Sequence, residues 1–201
     1  MINTKILIDP GHGIPHAGAK GRIKGIEERV VALRVALILQ NWFKAYGHIA
    51  YLTRTTDACI VKSDRSADLR ARGTMAGRYG AHCLVSIHCN SAADPNANGY
   101  ECFTLPGQDV SDPLATEMLL AYGRAFPHLR LRADTRDGDI DREMDLLVLK
   151  SVSPGIAKCL FELAFLSNKA EEEWLGDPKN YLAIATALGT GICNWGMKMR
   201  F

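Results

Sequence analysis

Two histidines and a small set of glutamates stand where apolar runs of the chain come to a stop. His12 follows Ile6-Leu7-Ile8 and the turn Asp9-Pro10-Gly11, His88 follows Leu84-Val85-Ser86-Ile87, and Glu162 lies near the end of Cys159-Leu160-Phe161. Glu27 and Glu28 open a helical stretch after a polar, glycine-rich loop from Gly13 to Gly25. Neutral imidazole and carboxylate both bind zinc well, and two histidines plus one carboxylate leave a fourth position open, as catalytic zinc sites require. A further carboxylate outside the ligand set can take a proton from water and pass it to a leaving amine. Glu162, inside Leu160-Phe161-Glu162-Leu163-Ala164-Phe165, is costly to bury without a partner, which marks it as functional.

These residues act together only if the fold brings them to one edge. Strands are expected at 6–8, 48–53, 83–87, 99–105, 146–149 and 159–163. Helices are expected from Glu27 or Glu28 to about Tyr46, over 65–79 and 112–126, and from Asp177-Pro178 onward. Val30, Leu33, Leu37 and Trp42 recur at helical spacing, and Gly47 is a natural stop. Strands alternating with helices give an α/β fold, a twisted, mostly parallel or mixed sheet flanked by helices on both faces. Ligands of open α/β sheets bind at the carboxyl ends of the strands, where His12, His88 and Glu162 all arrive. Residues 1–201 read as a single domain with no repeat, linker or appended module.

Composition narrows the class. The chain has 201 residues, 47% hydrophobic and 23% charged, with a net charge of +2, which suits a globular domain and gives no field to attract nucleic acid. No apolar run is long enough to insert in a membrane. The six cysteines include no C-x-x-C pair and are expected to be reduced. Met1-Ile2-Asn3-Thr4-Lys5 shows no secretory leader pattern, so synthesis in the cytoplasm is expected.

Four motifs in order resemble the zinc-dependent N-acetylmuramoyl-L-alanine amidases of the amidase-3 type. They are Ile8-Asp9-Pro10-Gly11-His12-Gly13, Glu28-Arg29-Val30-Val31-Ala32-Leu33, Ser86-Ile87-His88-Cys89-Asn90-Ser91 and Leu160 through Asn168. Thr53-Arg54-Thr55-Thr56-Asp57 and Arg72 with Ala76 resemble the family's middle landmarks, and the match spans about 6–193. The resemblance implies one catalytic zinc on His12, Glu28 and His88, with Glu162 as general acid and base. It chooses Glu28 over the adjacent Glu27 by the spacing to the downstream leucine. It implies hydrolysis of the amide between the lactyl group of N-acetylmuramic acid and L-alanine in peptidoglycan. Ala164 and Ala32 depart from the family's usual glycine and asparagine, which bears on packing and specificity. A lone domain without a leader resembles a compact phage endolysin, a monomer held in the cytoplasm until lysis. A zinc peptidase cutting within the stem peptide and a non-catalytic peptidoglycan-binding module are the alternative readings.

Other charged groups read more plainly. Basic and acidic residues balance between 122 and 150, and the irregular stretch 127–145 is expected to be a solvated loop, with Arg136 a candidate to contact stem-peptide carboxylates from a groove wall. Asp137-x-Asp139-x-Asp141 has the alternation of a calcium loop but lacks its glycine position and its bidentate glutamate. Glu171-Glu172-Glu173 reads as the acidic first turn of a short helix, and His16, His48, His82 and His128 as surface or structural residues.

Overall fold

A computed structural model describes residues 4–200; Met1–Asn3, where no leader was expected, and Phe201 lie outside them. The strands are β1 (Lys5–Pro10), β2 (Ile49–Leu52), β3 (Cys83–Asn90), β4 (Glu101–Thr104), β5 (Arg142–Glu143) and β6 (Ala157–Phe165). The helices are α1 (Glu28–Ala45), α2 (Arg65–Arg78), α3 (Asp112–Ala125), α4 (Leu147–Lys150), α5 (Lys169–Leu175) and α6 (Tyr181–Met199). The sheet order is β2-β1-β3-β6-β4-β5, parallel except where β4 runs against β6. This is the expected α/β domain with a mixed sheet.

Period-two alternation divides the core in two. Ile6, Ile8, Val85, Ile87, Cys159 and Phe161 point to the side covered by α1, α3 and α6, packing with Val35, Leu39, Met118, Leu188 and Trp195. Leu7, Leu84 and Leu160 point to the other side, covered by α2 and α4 through Ala76, Val148 and Leu149. Both faces are dry, so the central strands read as continuous apolar runs.

Three differences from the sequence reading matter. Residues 146–149 form no strand: 147–150 is a helical turn that seats Val148 and Leu149 on Leu7, Leu84 and Leu160. A four-residue apolar run has no periodicity to separate the two states, and tertiary packing chose the helix. The edge strand is instead the two-residue β5, inside the segment expected to be irregular. β3 also runs on through His88 to Asn90, so His88 sits within its strand rather than after it, and β6 continues past Glu162 to Phe165.

Candidate active site

Register places the chemistry. Asp9 pairs with Ser86 across β1 and β3, His88 with Glu162 across β3 and β6, and Glu162 with Glu101 across β6 and β4. All five stand in phase with Leu7, Leu84 and Leu160, so they project from the α2 and α4 face at the carboxyl end of the parallel strands. Gly11 extends the row: its N–H donates to Ile87 O, and a Cβ there would run into the His88 ring.

The β1–α1 loop delivers His12. Its φ is +62°, a left-handed conformation that non-glycine residues adopt at a cost and that histidine tolerates better than most. Two buried arginines hold it there. Arg72 donates to Asp9 Oδ1 (3.0 Å), Pro10 O (2.8 Å), His12 O (2.7 Å) and Asp68 Oδ2 (2.7 Å). Arg54 donates to Pro10 O (2.9 Å), Gly11 O (2.8 Å), Thr56 O (2.8 Å) and Arg29 O (2.9 Å).

Glu28, the first residue of α1, is buried and reaches both histidines: Oε1 lies 3.1 Å from His12 Nε2 and 2.8 Å from His88 Nδ1. Its Oε1 also accepts from Cys89 N (3.1 Å) and its Oε2 from Ala19 N (2.7 Å). Burial pushes this carboxyl up, yet the hydrogen bonds and charge of His12 and His88 hold it well below the usual carboxylate range. Glu27 instead pairs with Arg29 outside the cluster, which separates the two adjacent acids. His12, Glu28 and His88 offer ligand atoms within 4.8 Å of one another, a donor set and spacing that fit one tetrahedral metal ion. The second nitrogen of His88 completes the fit. Ser86 Oγ donates to Asp9 Oδ2 (2.6 Å) and lies 3.1 Å from His88 Nε2, so it can hold a proton on that nitrogen and free Nδ1, now against Glu28, for a metal.

Glu162 and Glu101 are neighbours with opposite electrostatics. Glu101 receives Arg132 Nε (3.2 Å), Arg142 Nη1 (3.1 Å) and the Asn90 amide. Glu162 Oε2 is buried with no partner. Burial first, then the charges of Glu28 and Glu101, push its carboxyl well above the usual range. A cleft of about 220 Å³ opens beside His12 and His88, walled by His16, Arg65, Leu146 and Leu160.

The comparisons with known proteins fall on this geometry. Residues 6–194 match the amidase-3 family model, described as N-acetylmuramoyl-L-alanine amidase. The chain belongs to that family. It is 28% identical to the amidase AmiA of Salmonella typhimurium over 94% of this chain and 75% of that protein. It is 26% identical to the germination-specific amidase of Bacillus subtilis over 94% and 78%. Among solved structures it resembles the CwlD amidase of Clostridioides difficile, in complex with the GerS lipoprotein, with a TM-score of 0.84, 25% identity and coverage of 96% and 98%. AmiC2 of Nostoc punctiforme gives 0.83, with 25% identity and coverage of 96% of both chains. Membership in this zinc-dependent family makes the chain a hydrolase of the amide between N-acetylmuramic acid and L-alanine in peptidoglycan.

Of the residues singled out in the sequence, His12, Glu28 and His88 converge, and Glu162 stands one strand away. His16, in the loop after His12, helps wall the cleft. Arg136 pairs with Asp134 and lines a separate depression with Asp137, Asp141 and Glu143. Glu171 and Glu172 open a short helix as expected, but both are buried clamps. Glu171 accepts from Gly99 N and Phe165 N (both 2.7 Å), and Glu172 from Ile23 N and Lys24 N (both 2.8 Å). Sequence reasoning also missed Asp9, Ser86 and Glu101 as parts of the site. Ser86 in phase with His88 was the available signal.

Proposed function

We propose that His12, Glu28 and His88 hold the catalytic zinc and that Glu162 moves the proton in muramoyl-amide hydrolysis. One observation carries the reading: Glu162, with an unpartnered buried oxygen, is in register with His88, whose Nδ1 faces Glu28. Zinc in a two-histidine, one-carboxylate site supplies Lewis acidity, polarising a carbonyl and making water nucleophilic at neutral pH.

The protein's own groups do the rest. Asp9 and Ser86 keep the proton of His88 on Nε2. Arg54 and Arg72 hold the backbone of the His12 turn. Glu162 takes a proton from the attacking water as its oxygen bonds to the lactyl carbonyl carbon. It then gives that proton to the alanine nitrogen as the C–N bond breaks, and the second water proton follows from the new carboxyl, releasing a lactyl carboxylate and an alanine ammonium. Glu101, already neutralised by Arg132 and Arg142, leaves this role to its neighbour.

The six cysteines are all unpaired, which supports folding in a reducing compartment and with it a lysin-like route to the wall. No helix among the described residues is long and apolar enough to cross a membrane. The test is mass spectrometry of digested peptidoglycan with wild type and Glu162→Gln, each with its zinc content measured. We expect stem peptides with a free L-alanine amino terminus from wild type. The variant should keep its zinc and lose at least about 100-fold in turnover. Full activity in the variant, or cleavage inside the stem peptide, refutes the assignment.

A further inference from the structure

A second cluster of carboxylates lies away from the zinc ligands. Asp112 begins α3, while Asp139 and Asp141 come from the segment leading into β5, and the three offer oxygens within 4.8 Å of one another. None of the three is paired with a lysine or arginine among the described residues. Several other buried carboxylates contrast with them. Asp9 has Arg72, Glu101 has Arg132 and Arg142, and Glu171 and Glu172 each have two backbone N–H donors.

The partners inside the cluster are neutral. Asp112 Oδ2 accepts from Asp109 N (2.5 Å), Asp139 Oδ1 from Asp141 N (3.3 Å), Asp139 Oδ2 from the Gln108 amide (2.8 Å), and Asp141 Oδ2 from Thr104 Oγ1 (2.6 Å). Asp141 is 2% exposed, and its Oδ1 is buried without any partner, beside Asp139 and Asp112. An orphaned buried oxygen among like charges is a separate observation from the clustering, because buried oxygens seldom go without a partner; among the described carboxylates only Glu162 Oε2 and Asp57 Oδ1 share that state. Burial, together with those neighbouring carboxylates, pushes the Asp141 carboxyl up to about 7.

We propose that Asp112, Asp139 and Asp141 bind a hard divalent cation of the calcium class, at a structural site distinct from the zinc site. The donors are all oxygen, which excludes the nitrogen and sulfur preferences of zinc and copper. They come from a helix start and a loop, an irregular set that calcium accepts and magnesium, with its strict octahedron, does not. The site would tie the 137–141 loop to α3 and to the end of β4. Next in the chain is Arg142, which neutralises Glu101 beside Glu162, so the cation anchors the residue that sets the charge at the site's edge.

The test uses the full chain, freed of divalent ions on a chelating resin and reloaded with one equivalent of zinc. Calcium and, separately, magnesium are titrated calorimetrically, and thermal unfolding is followed at each concentration. We expect one calcium site with Kd between about 10⁻⁵ and 10⁻³ M, magnesium at least about 10-fold weaker, and a rise in Tm of about 5–10 °C at 100 times Kd. Asp139→Asn and Asp112→Asn should each weaken calcium at least 10-fold. In calcium-free buffer both should melt no lower than wild type, since each removes like-charge repulsion, and that shows they fold. His12→Ala should bind calcium as wild type does. No binding or Tm shift by 10 mM calcium, with the cluster then sharing a proton, overturns the proposal. So does magnesium binding as tightly as calcium, calcium binding unchanged in the aspartate variants, or calcium binding lost in His12→Ala.

Discussion

Ser86→Ala is the sharpest probe of how the sheet prepares His88. The hydroxyl is fully buried, donates to Asp9 Oδ2 at 2.6 Å and accepts from His88 Nε2 at 3.1 Å. Its loss removes one charge-assisted bond, worth about 1.5–3 kcal/mol, and one ordinary bond, worth about 0.5–1.5 kcal/mol. The total is roughly 2–4.5 kcal/mol, to be divided between the fold and the metal site. Arg72 still neutralises Asp9 in the variant, so the fold survives. His88, in contrast, loses the Ser86 acceptor that keeps its proton on Nε2, and its ring becomes free to take the wrong tautomer or rotate. Zinc affinity should therefore fall about 10- to 100-fold. Competition with a chromophoric chelator measures that loss, and urea unfolding of the metal-free protein measures the fold's share. Asp9→Asn should lower zinc affinity through the same path, and the double variant should lose less than the sum of the two single losses. Zinc affinity within twofold of wild type in Ser86→Ala, or strict additivity with Asp9→Asn, would refute the reasoning.

Arg72→Met should cost about 3–5 kcal/mol in urea unfolding, because it leaves Asp9 charged, buried and unpaired and frees the His12 carbonyl. A loss below 1 kcal/mol would show that Arg54 alone holds the turn. Stability should also depend on acid in a way traceable to Asp9. Burial raises its pKa, but Arg72, Ser86, Thr53 and His88 together hold the carboxyl below its ordinary value, while the nearby Arg54 adds a second positive charge. The native state thus binds fewer protons than the unfolded state near pH 4. The stabilisation is full above that range and lost as pH falls through it. The difference in unfolding free energy between wild type and Asp9→Asn should shrink steadily from pH 6 to pH 3, and a pH-independent difference would contradict the shift. Other acids, Glu171 among them, are shifted upward and act in the opposite sense, so only this difference isolates Asp9.

How much of this was legible in the linear chain depended on the range of the cause. Apolar runs ending at His12, His88 and Glu162 announced strands that carry polar groups to one edge, because strand order and side-chain alternation are local properties of the sequence. Helix α1 was equally plain, since its apolar period and its stop at Gly47 lie within one segment. The 147–150 turn was misread because four apolar residues carry no period, and contact with Leu7, Leu84 and Leu160 decides their state.

The same division runs through the site. Residue types alone could nominate two histidines and a glutamate for metal, and motif order chose Glu28. Only the structure separates Glu28 from Glu27, by placing one on both imidazoles and the other on Arg29. Only pairing of β6 with β4 shows that Glu101 stands next to Glu162, and that two distant arginines neutralise one and leave the other unpaired. Asp112 joins Asp139 and Asp141 for a similar reason: no local pattern relates a helix start to a loop more than a full helix away in the chain. What the sequence by itself determined is which groups can do chemistry and on which kind of element each rides. Which carboxylate is placed as ligand, which is neutralised and which is buried without a partner was decided by the tertiary structure, because electrostatic environment belongs to neighbours in space.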